Sequence, residues 1–417
     1  MMPTPDDGDR LLSYRARWVI PISGPPLRGG CVTVRGARIA SVGPSPADGA
    51  QLVDLGDVAL LPGLVNPHAH LEFSDLARPL GRAGMGFAEW IALVTASRGN
   101  AEQPRPAPGE SIAQGLAESR AAGVTTVGDI ATAGWQLGES DAAATDVTAF
   151  AEVIALSAVR FAEVLDRVRG DVESARAGGR WRGAICPHAP YTVHPELFAR
   201  LVDLGVECRA NVAFHLAESI DELELMRDNS GPLADYLIAR GFWIPGAIPR
   251  GTRPRDYLRV LLRAPRSLVV HGNLLDDDDI ALVAANRDRM SVVYCPRTHA
   301  YFAHPPHPLP KLLAAGARVA LGTDGRVSNP DLNLLADARF VARAYPSLAP
   351  ADVLAMVTLH AAEALGLAAE AGSLAAGKRA DLAVVATPPG EATDDPGETI
   401  LGGDQPVVRT MHAGQWL

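Results

Sequence analysis

Lysine is almost missing from this chain of 417 residues. It occurs only at Lys311 and Lys378, and arginine supplies the rest of the 38 basic side chains, a bias that with abundant alanine reflects genome composition. Against 48 acidic residues this leaves a formal net charge of −10, which disfavours nucleic acid or an anionic membrane surface as a partner. Cysteine is scarce as well. Cys31, Cys186, Cys208 and Cys295 are scattered without C-x-x-C spacing, so neither a disulfide framework nor a thiolate zinc knuckle is expected, and a reducing compartment fits. No apolar run approaches the roughly 18 residues of a membrane span, and the first twenty residues carry acidic side chains without a continuous apolar core. A cytoplasmic protein without a membrane is the expectation. What is present, 47% hydrophobic and 21% charged residues, is ordinary for a globular enzyme and too apolar for a disordered chain.

The two ends share a texture of short strands: "RWVIPI", "CVTVRGARIASVG" with a turn at Arg35–Arg38, and "LVDLGDVALLPGLV" at the start, "ADLAVVATP" at 380–388 and a pair around Gly414 at the end. They predict one small β-sandwich made by both termini, residues 1–62 and 371–417. Between them, over 63–370, apolar strands alternate with Ala/Leu-rich helical stretches, the mark of βα units. The strand candidates are "GLVNPHAH", "GVTTVGDIA", "TAFAEVIAL", "RGAICPHAP", "NVAFHLAE", "SLVVHGNL", "MSVVYCPR" and "RVALGTDG". Helices are expected at 110–122, 160–176, 195–205, 220–240, 277–288 and 307–316. Eight such repeats predict an α/β fold, a (β/α)8 TIM barrel, whose catalytic groups gather where the strands end. Pro- and Gly-rich stretches at 99–110, 243–256 and 387–406 read as loops, the first two near the barrel mouth. "DDDD" at 276–279 reads as a solvated helix N-terminus rather than a cation site.

The stretch "LPGLVNPHAHLEF" ends its apolar run in two histidines one residue apart. Successive strand side chains point to opposite faces, so His68 and His70 share one and can aim at a single point. In isolation such a pair is as readily a strand cap and a surface residue. The other strands change the balance, because His215, His271 and Asp324 each follow an apolar run directly at the fifth, sixth and eighth strand ends. Three neutral imidazoles and a carboxylate from such a set make a nitrogen/oxygen site for one divalent metal, zinc by default and iron or manganese by fit, with room for water. Metal coordination brings the pKa of water from 15.7 down to about 7. Glu218, three residues beyond His215, is placed to carry the proton.

The phrases "LPGLVNPHAH", "HLAE", "VVHGN" and "LGTD", with "GVTTVGDI" at 123–130 and "GSLAAGKRADLAVV" at 372–385, resemble the amidohydrolase superfamily, in particular its cytosine-deaminase-like and chlorohydrolase-like branch. That resemblance implies a mononuclear metal held by His68, His70, His215 and Asp324, Glu218 as acid and base, and His271 orienting the hydroxide. A two-metal branch carries a lysine after strand four; this chain has His188 there, so one metal is expected. Water would then give a proton to Glu218 or Asp324 and attack an sp² carbon bearing an amino group, Glu218 would protonate the ring nitrogen, and ammonia would leave.

"CPHAPYTV" resembles the segment that brings a histidine, here His188, to the substrate of methylthioadenosine and S-adenosylhomocysteine deaminases. Glu89 in "FAEWI" matches their glutamate against ribose hydroxyls. After strand seven "CPRTHAYFAHPPHP" has His299 where many relatives have asparagine, a form similar to aminodeoxyfutalosine deaminases, and Arg297 could meet a substrate carboxylate. Gly325 stands where relatives usually have serine, removing a hydroxyl beside Asp324. His304 and His307 are not expected as ligands. The resemblance implies hydrolytic deamination of a 6-aminopurine nucleoside or related amino-heterocycle; dechlorination or N-dealkylation of a triazine-like ring, or opening of a cyclic amidine, is the runner-up. An inactive binding relative is the reading of another class. A homodimer is left open.

Overall fold

The computed structural model describes residues 10–98, 105–179, 181–388 and 395–417. Eight parallel strands follow one another in chain order: Leu64–Ala69, Val124–Ala131, Asp146–Val153, Arg182–Pro187, Val212–Leu216, Ser267–His271, Met290–Tyr294 and Arg318–Leu321. Each matches an expected strand. Their side chains alternate between two cores. Phe150, Ala184, Ala213, Leu268, Val270 and Ala320 meet inside the barrel, while Val147, Ile185, Phe214, Val269 and Val319 pack outward among the helices. The helix Leu359–Leu365 plugs the interior where the strands begin, through Ala361, Ala362 and Leu365.

The barrel closes between its first and eighth strands at their C-terminal ends. Asp324 N–H donates to the His68 carbonyl at 3.2 Å and His70 N–H to the Asp324 carbonyl at 3.4 Å, a parallel bridge between Ala69 and Asp324. Asn66 clamps the same seam: its Nδ2 donates to Thr323 Oγ1 at 2.8 Å, and its Oδ1 accepts the backbone N–H of both His68 and Thr323.

Helices at Pro108–Ala121, Phe161–Gly178, Pro195–Cys208 and Asp277–Ala285 lie where expected, and the one expected at 307–316 is shorter, Leu309–Ala314. The stretch 220–240 is two helices, Ile220–Asp228 and Pro232–Ala239, because Asn229 (φ 54°) and Gly231 (φ 95°) turn the chain and Pro232 opens the second. Asp276 caps Asp277–Ala285 in a reciprocal bond with Asp279, so the acidic run is a helix start. The stretch 387–406 contains a helix, Pro396–Gly402: Asp395 accepts the N–H of Gly397, Pro396 occupies the first turn, and Ile400 and Leu401 join the barrel's outer core. Residues 99–104 and 389–394 of the expected loops lie outside the described residues.

The terminal segments form two sheets. One, in order Arg38–Gly43, Cys31–Arg35, Leu11–Arg15, Gln51–Asp54, is wholly N-terminal. The other interleaves both ends, with Leu382–Ala386 antiparallel to Val58–Pro62 and to Val407–His412. Tyr14, Val32 and Ile39 from the first share a core with Leu60, Leu382 and Met411 from the second. Gly63 is the hinge into the barrel, and a Cβ there would fall 2.3 Å from Thr125 Oγ1.

Candidate metal centre and active site

Three local devices bring the polar side chains to one point. The first is alternation. Ala184 and Cys186 face inward on strand four, so His188 does too; Ala213 faces inward on strand five, so His215 follows. The second is a bulge. Val65 faces the interior, so strict alternation would turn His68 and His70 outward. The register between the first two strands slips between Asn66 and Ala69, inserting one residue and reversing the order. The bulge pushes the Pro67 carbonyl toward Gly128, where a Cβ would lie 2.4 Å from that oxygen. The third is a left-handed backbone. His271 (φ 68°), Ala217 (φ 55°) and Asp324 (φ 57°) all occupy a region that non-glycine residues avoid, at a cost of about 1–3 kcal/mol each. On strand six Leu268 and Val270 point inward, so His271 reaches the site because its backbone turns over.

Nitrogens of His68, His70 and His215 lie within 4.8 Å of one another, the only such metal-ligating group among the described residues. His70 Nε2 and His215 Nε2 are 3.3 Å apart, and Asp324 Oδ1 lies 3.6 Å from His68 Nε2 and 3.5 Å from His70 Nε2. All four residues are buried. His215 Nδ1 donates to the His188 carbonyl at 2.8 Å, which leaves the Nε2 lone pair facing the centre. His68 Nε2 has no hydrogen-bond partner, an orphaned buried nitrogen that a cation would satisfy. Burial, then the neighbouring imidazoles, push His70 and His215 well below the usual histidine range, which keeps them neutral as ligands must be. Burial raises Asp324, but the closeness of His68, His70 and His271 more than offsets it and holds the carboxyl below its ordinary value. Its second oxygen accepts from Ser328 Oγ at 2.9 Å. The residues present therefore fit a divalent metal.

Glu218 Oε1 stands 3.5 Å from His271 Nε2. Burial, followed by the charges of Asp324 and Glu222, raises the Glu218 carboxyl well above its usual range. Its loop is held by Glu222, whose two oxygens accept the N–H groups of Ala217 and Glu218 at 2.8 and 2.9 Å, and by Asn273, which donates to the Glu218 carbonyl at 2.9 Å. His307 donates from Nε2 to the His271 carbonyl and stacks on Tyr294 with ring centroids 3.8 Å apart. Glu222, Asn66 and His307 are supports that the sequence reading missed. For Glu222 a signal was there, since Ser219-x-x-Glu222 has the spacing of a capping box.

A cavity of about 270 Å³ opens onto this centre. Its floor is His70, His188, His215, Glu218, His271 and Asp324, and its walls are largely apolar, with Phe73, Phe87, Trp90, Leu237 and Phe242 among them. No residue of the 243–256 stretch lines the cavity; Ile248 belongs to the apolar cluster that also contains the wall residues Phe87 and Leu233. A larger hollow of about 610 Å³, lined by Arg182 and Arg266 among others, lies where the strands begin and holds none of the metal-ligating residues.

Two expected substrate contacts are elsewhere. Glu89 is exposed on the helix Phe87–Arg98 and does not line the cavity, because Trp90 and Phe87 take the inward face of that turn. Arg297 points away from it, paired with Asp331 at 2.7 Å and with fully buried Asp337 at 2.9 Å. His299, in the place of asparagine, donates to the Pro305 carbonyl at 2.9 Å. Gly325 follows from close packing: a Cβ there would sit 3.0 Å from His70 Cβ and 3.2 Å from the His70 carbonyl oxygen. The cavity also contains Glu152, which sequence reasoning passed over although it lies two residues beyond inward-facing Phe150 on strand three.

Residues 59–417 match the family model described as "Amidohydrolase family". A 5-methylthioadenosine/S-adenosylhomocysteine deaminase of Moorella thermoacetica is 30% identical over 386 residues, covering 88% of this chain and 83% of its own. An aminofutalosine deaminase of Helicobacter pylori, solved with methylthio-coformycin, superposes with a TM-score of 0.83 at 20% identity over 97% of this chain and all (100%) of its own. A Xanthomonas campestris adenosine deaminase with bound zinc gives 0.76 at 25% identity, covering 99% and 93%. No helix among the described residues is long and apolar enough to cross a membrane.

Proposed function

The chain belongs to the amidohydrolase family, and from that premise we propose that it is a mononuclear metal-dependent aminohydrolase that releases ammonia from a 6-aminopurine nucleoside or a closely related amino-heterocycle. One observation carries the reading: His68, His70, His215 and Asp324, drawn from strands one, five and eight, converge on one point with Glu218 and His271 facing each other beside it. These four ligands would hold one divalent ion, zinc by the chemistry of the donor set. Such an ion supplies Lewis acidity that makes water acidic near neutral pH.

The chain's own residues do the rest. Hydrolytic deamination replaces an amino group on an sp² carbon with oxygen, so a proton must go from water to the substrate. Glu218 is the carrier, its carboxyl oxygen free to take and return a proton while Glu222 and Asn273 fix its backbone. His271 confronts Glu218 across 3.5 Å and orients the attacking group. His188, on the cavity floor, contacts the heterocycle or its substituent. The apolar walls exclude water and suit a flat ring with an apolar tail.

The test is an ammonia-release assay on purified protein reconstituted with zinc, iron or manganese. The substrates are adenosine, methylthioadenosine, S-adenosylhomocysteine, aminodeoxyfutalosine and a chlorotriazine. Deamination of at least one adenine nucleoside, abolished by a chelator, is expected. Chloride release from the triazine with no nucleoside turned over would overturn the reading, and failure to bind any metal would reduce the chain to a binding relative.

A further inference from the structure

The rows of side chains that end at the metal centre have a second end. On strands three to six the inward positions include Phe150, Ala184, Ala213 and Leu268. Two residues back along each row stand Thr148, Arg182, Asn211 and Arg266, at the rim where the strands begin. All four line the hollow of about 610 Å³ found there. Arg176 and Arg209 join them from the segments that lead into strands four and five. A chain of net charge −10 thus gathers four guanidiniums in one concavity, against the single carboxylate of Asp146.

That carboxylate is already engaged. Asp146 pairs with Arg182 and, at 2.5 Å, with Arg379. Among the described residues Arg176, Arg209 and Arg266 form no ion pair. Arg176 donates to the Cys208 carbonyl, and Arg266 to the carbonyls of Asp288 and Glu363 at 3.1 and 3.2 Å. The Arg209 guanidinium has no partner at all among them. Like charges held together repel, and an anion between them reverses the sign of that interaction.

Two further features show that the place is shaped. Arg266 lies across Gly366, where a Cβ would fall 2.9 Å from its Nε and 3.0 Å from its Cδ. Glycine is required there twice, for the left-handed turn (φ 76°) that ends the plug helix and for the seat of the guanidinium. Thr148, on the wall of the hollow, is 2% exposed, and its hydroxyl has no hydrogen-bond partner among the described residues. Asn211 ties the rim to the plug, its Nδ2 donating to the Leu365 carbonyl at 2.8 Å.

We infer that this hollow binds a phosphate ester with a flat organic body, a nucleotide by class, with its phosphates on Arg176, Arg209 and Arg266 and its ring along Trp181 and Leu367. A guanidinium presents paired donors that match phosphate oxygens. An indole gives a ring a surface to stack on whatever the base. The volume lies in the roughly 300–1,000 Å³ range of small-molecule sites and exceeds what a bare oxyanion fills. The site is at the opposite end of the barrel from the metal centre and stands independently of the reaction assigned to that centre.

The experiment is calorimetric titration of the metal-loaded protein with UDP, whose ring has no amino group to hydrolyse, and with its two halves, pyrophosphate and uridine. UDP should bind with a Kd below about 1 mM at physiological salt, pyrophosphate more weakly, and uridine without measurable heat. Tryptophan fluorescence should respond to UDP in wild type and not in Trp181→Phe. Arg209→Asn removes a guanidinium that bonds to nothing, on a left-handed residue (φ 50°) that asparagine accepts, so its melting temperature should hold while UDP binding weakens by about 10- to 100-fold. Arg266→Gln should weaken UDP by a similar factor. Undiminished UDP binding in both arginine variants would put the anion elsewhere, the metal centre included, and overturn the site. So would no heat with UDP up to about 5 mM, or uridine binding as tightly as UDP. Pyrophosphate binding as tightly as UDP would overturn the nucleotide assignment.

Discussion

Ser328 Oγ donates to Asp324 Oδ2 at 2.9 Å, which leaves Asp324 Oδ1 alone to face His68 and His70. The hydroxyl that a serine at position 325 would bring next to the ligand comes instead from three residues further on. It is itself steadied by Thr298, whose Oγ1 lies 3.0 Å away. Removing it should free the carboxylate to rotate. Ser328→Ala is expected to weaken metal binding or activity by about 10- to 100-fold, the usual cost of losing an outer hydrogen bond to a ligand. Metal content after dialysis against graded chelator checks this, and unchanged retention would show that the carboxylate is held by the barrel seam alone.

Glu218→Gln keeps shape and burial but cannot cycle a proton. Turnover should drop by about 10² to 10⁴ with bound metal per chain unchanged. Elemental analysis beside steady-state kinetics separates the two effects; retained activity would remove Glu218 from its role, and lost metal would make it a ligand.

Gly325→Ala places a methyl group 3.0 Å from His70 Cβ, on a backbone already tied to Asp324 through the His70 N–H. Overpacking of this kind costs about 1–3 kcal/mol. The expected result is a lower melting temperature together with weaker metal retention, because the strained neighbour is a ligand. A variant indistinguishable from wild type in both measurements would mean that His70 yields without cost.

Arg297→Leu tests the reassignment of that arginine from substrate to scaffold. Asp337 is fully buried, so losing its partner strands a carboxylate in the core, at about 3–5 kcal/mol. Chemical denaturation should register that loss, while the relative kcat/KM for substrates with and without a carboxylate should stay constant. A selective loss on the carboxylate-bearing substrate would return Arg297 to the cavity.

The strand count and the convergence of His68, His70, His215 and Asp324 were legible because both rest on local pattern: apolar runs mark the strands, and polar residues just past them mark the rim. The reasons these side chains converge were not. Alternation alone would have turned His68, His70 and His271 away from the interior; a bulge at Asn66–Pro67 and a positive φ at His271 reverse them, and neither leaves an unambiguous trace in one sequence. Glu89 and Arg297 failed for another reason, since the neighbours that expose one and neutralise the other are 40 residues away or on a helix face that only packing decides. Glu152 could have been found by extending the inward row from Phe150. The helix Pro396–Gly402 was hidden by a Pro/Gly count that ignored Asp395 as a cap and Pro396 as a natural first-turn residue.

The seam that closes the barrel and the centre that would hold the cation share His68, His70 and Asp324. A nascent chain that has emerged only as far as strand seven owns three imidazoles but neither the carboxylate nor the backbone bonds that lock the first histidine pair in place. Ion capture by this full set of side chains would thus wait for the final moments of maturation, and loading with metal would report that the last strand has come home.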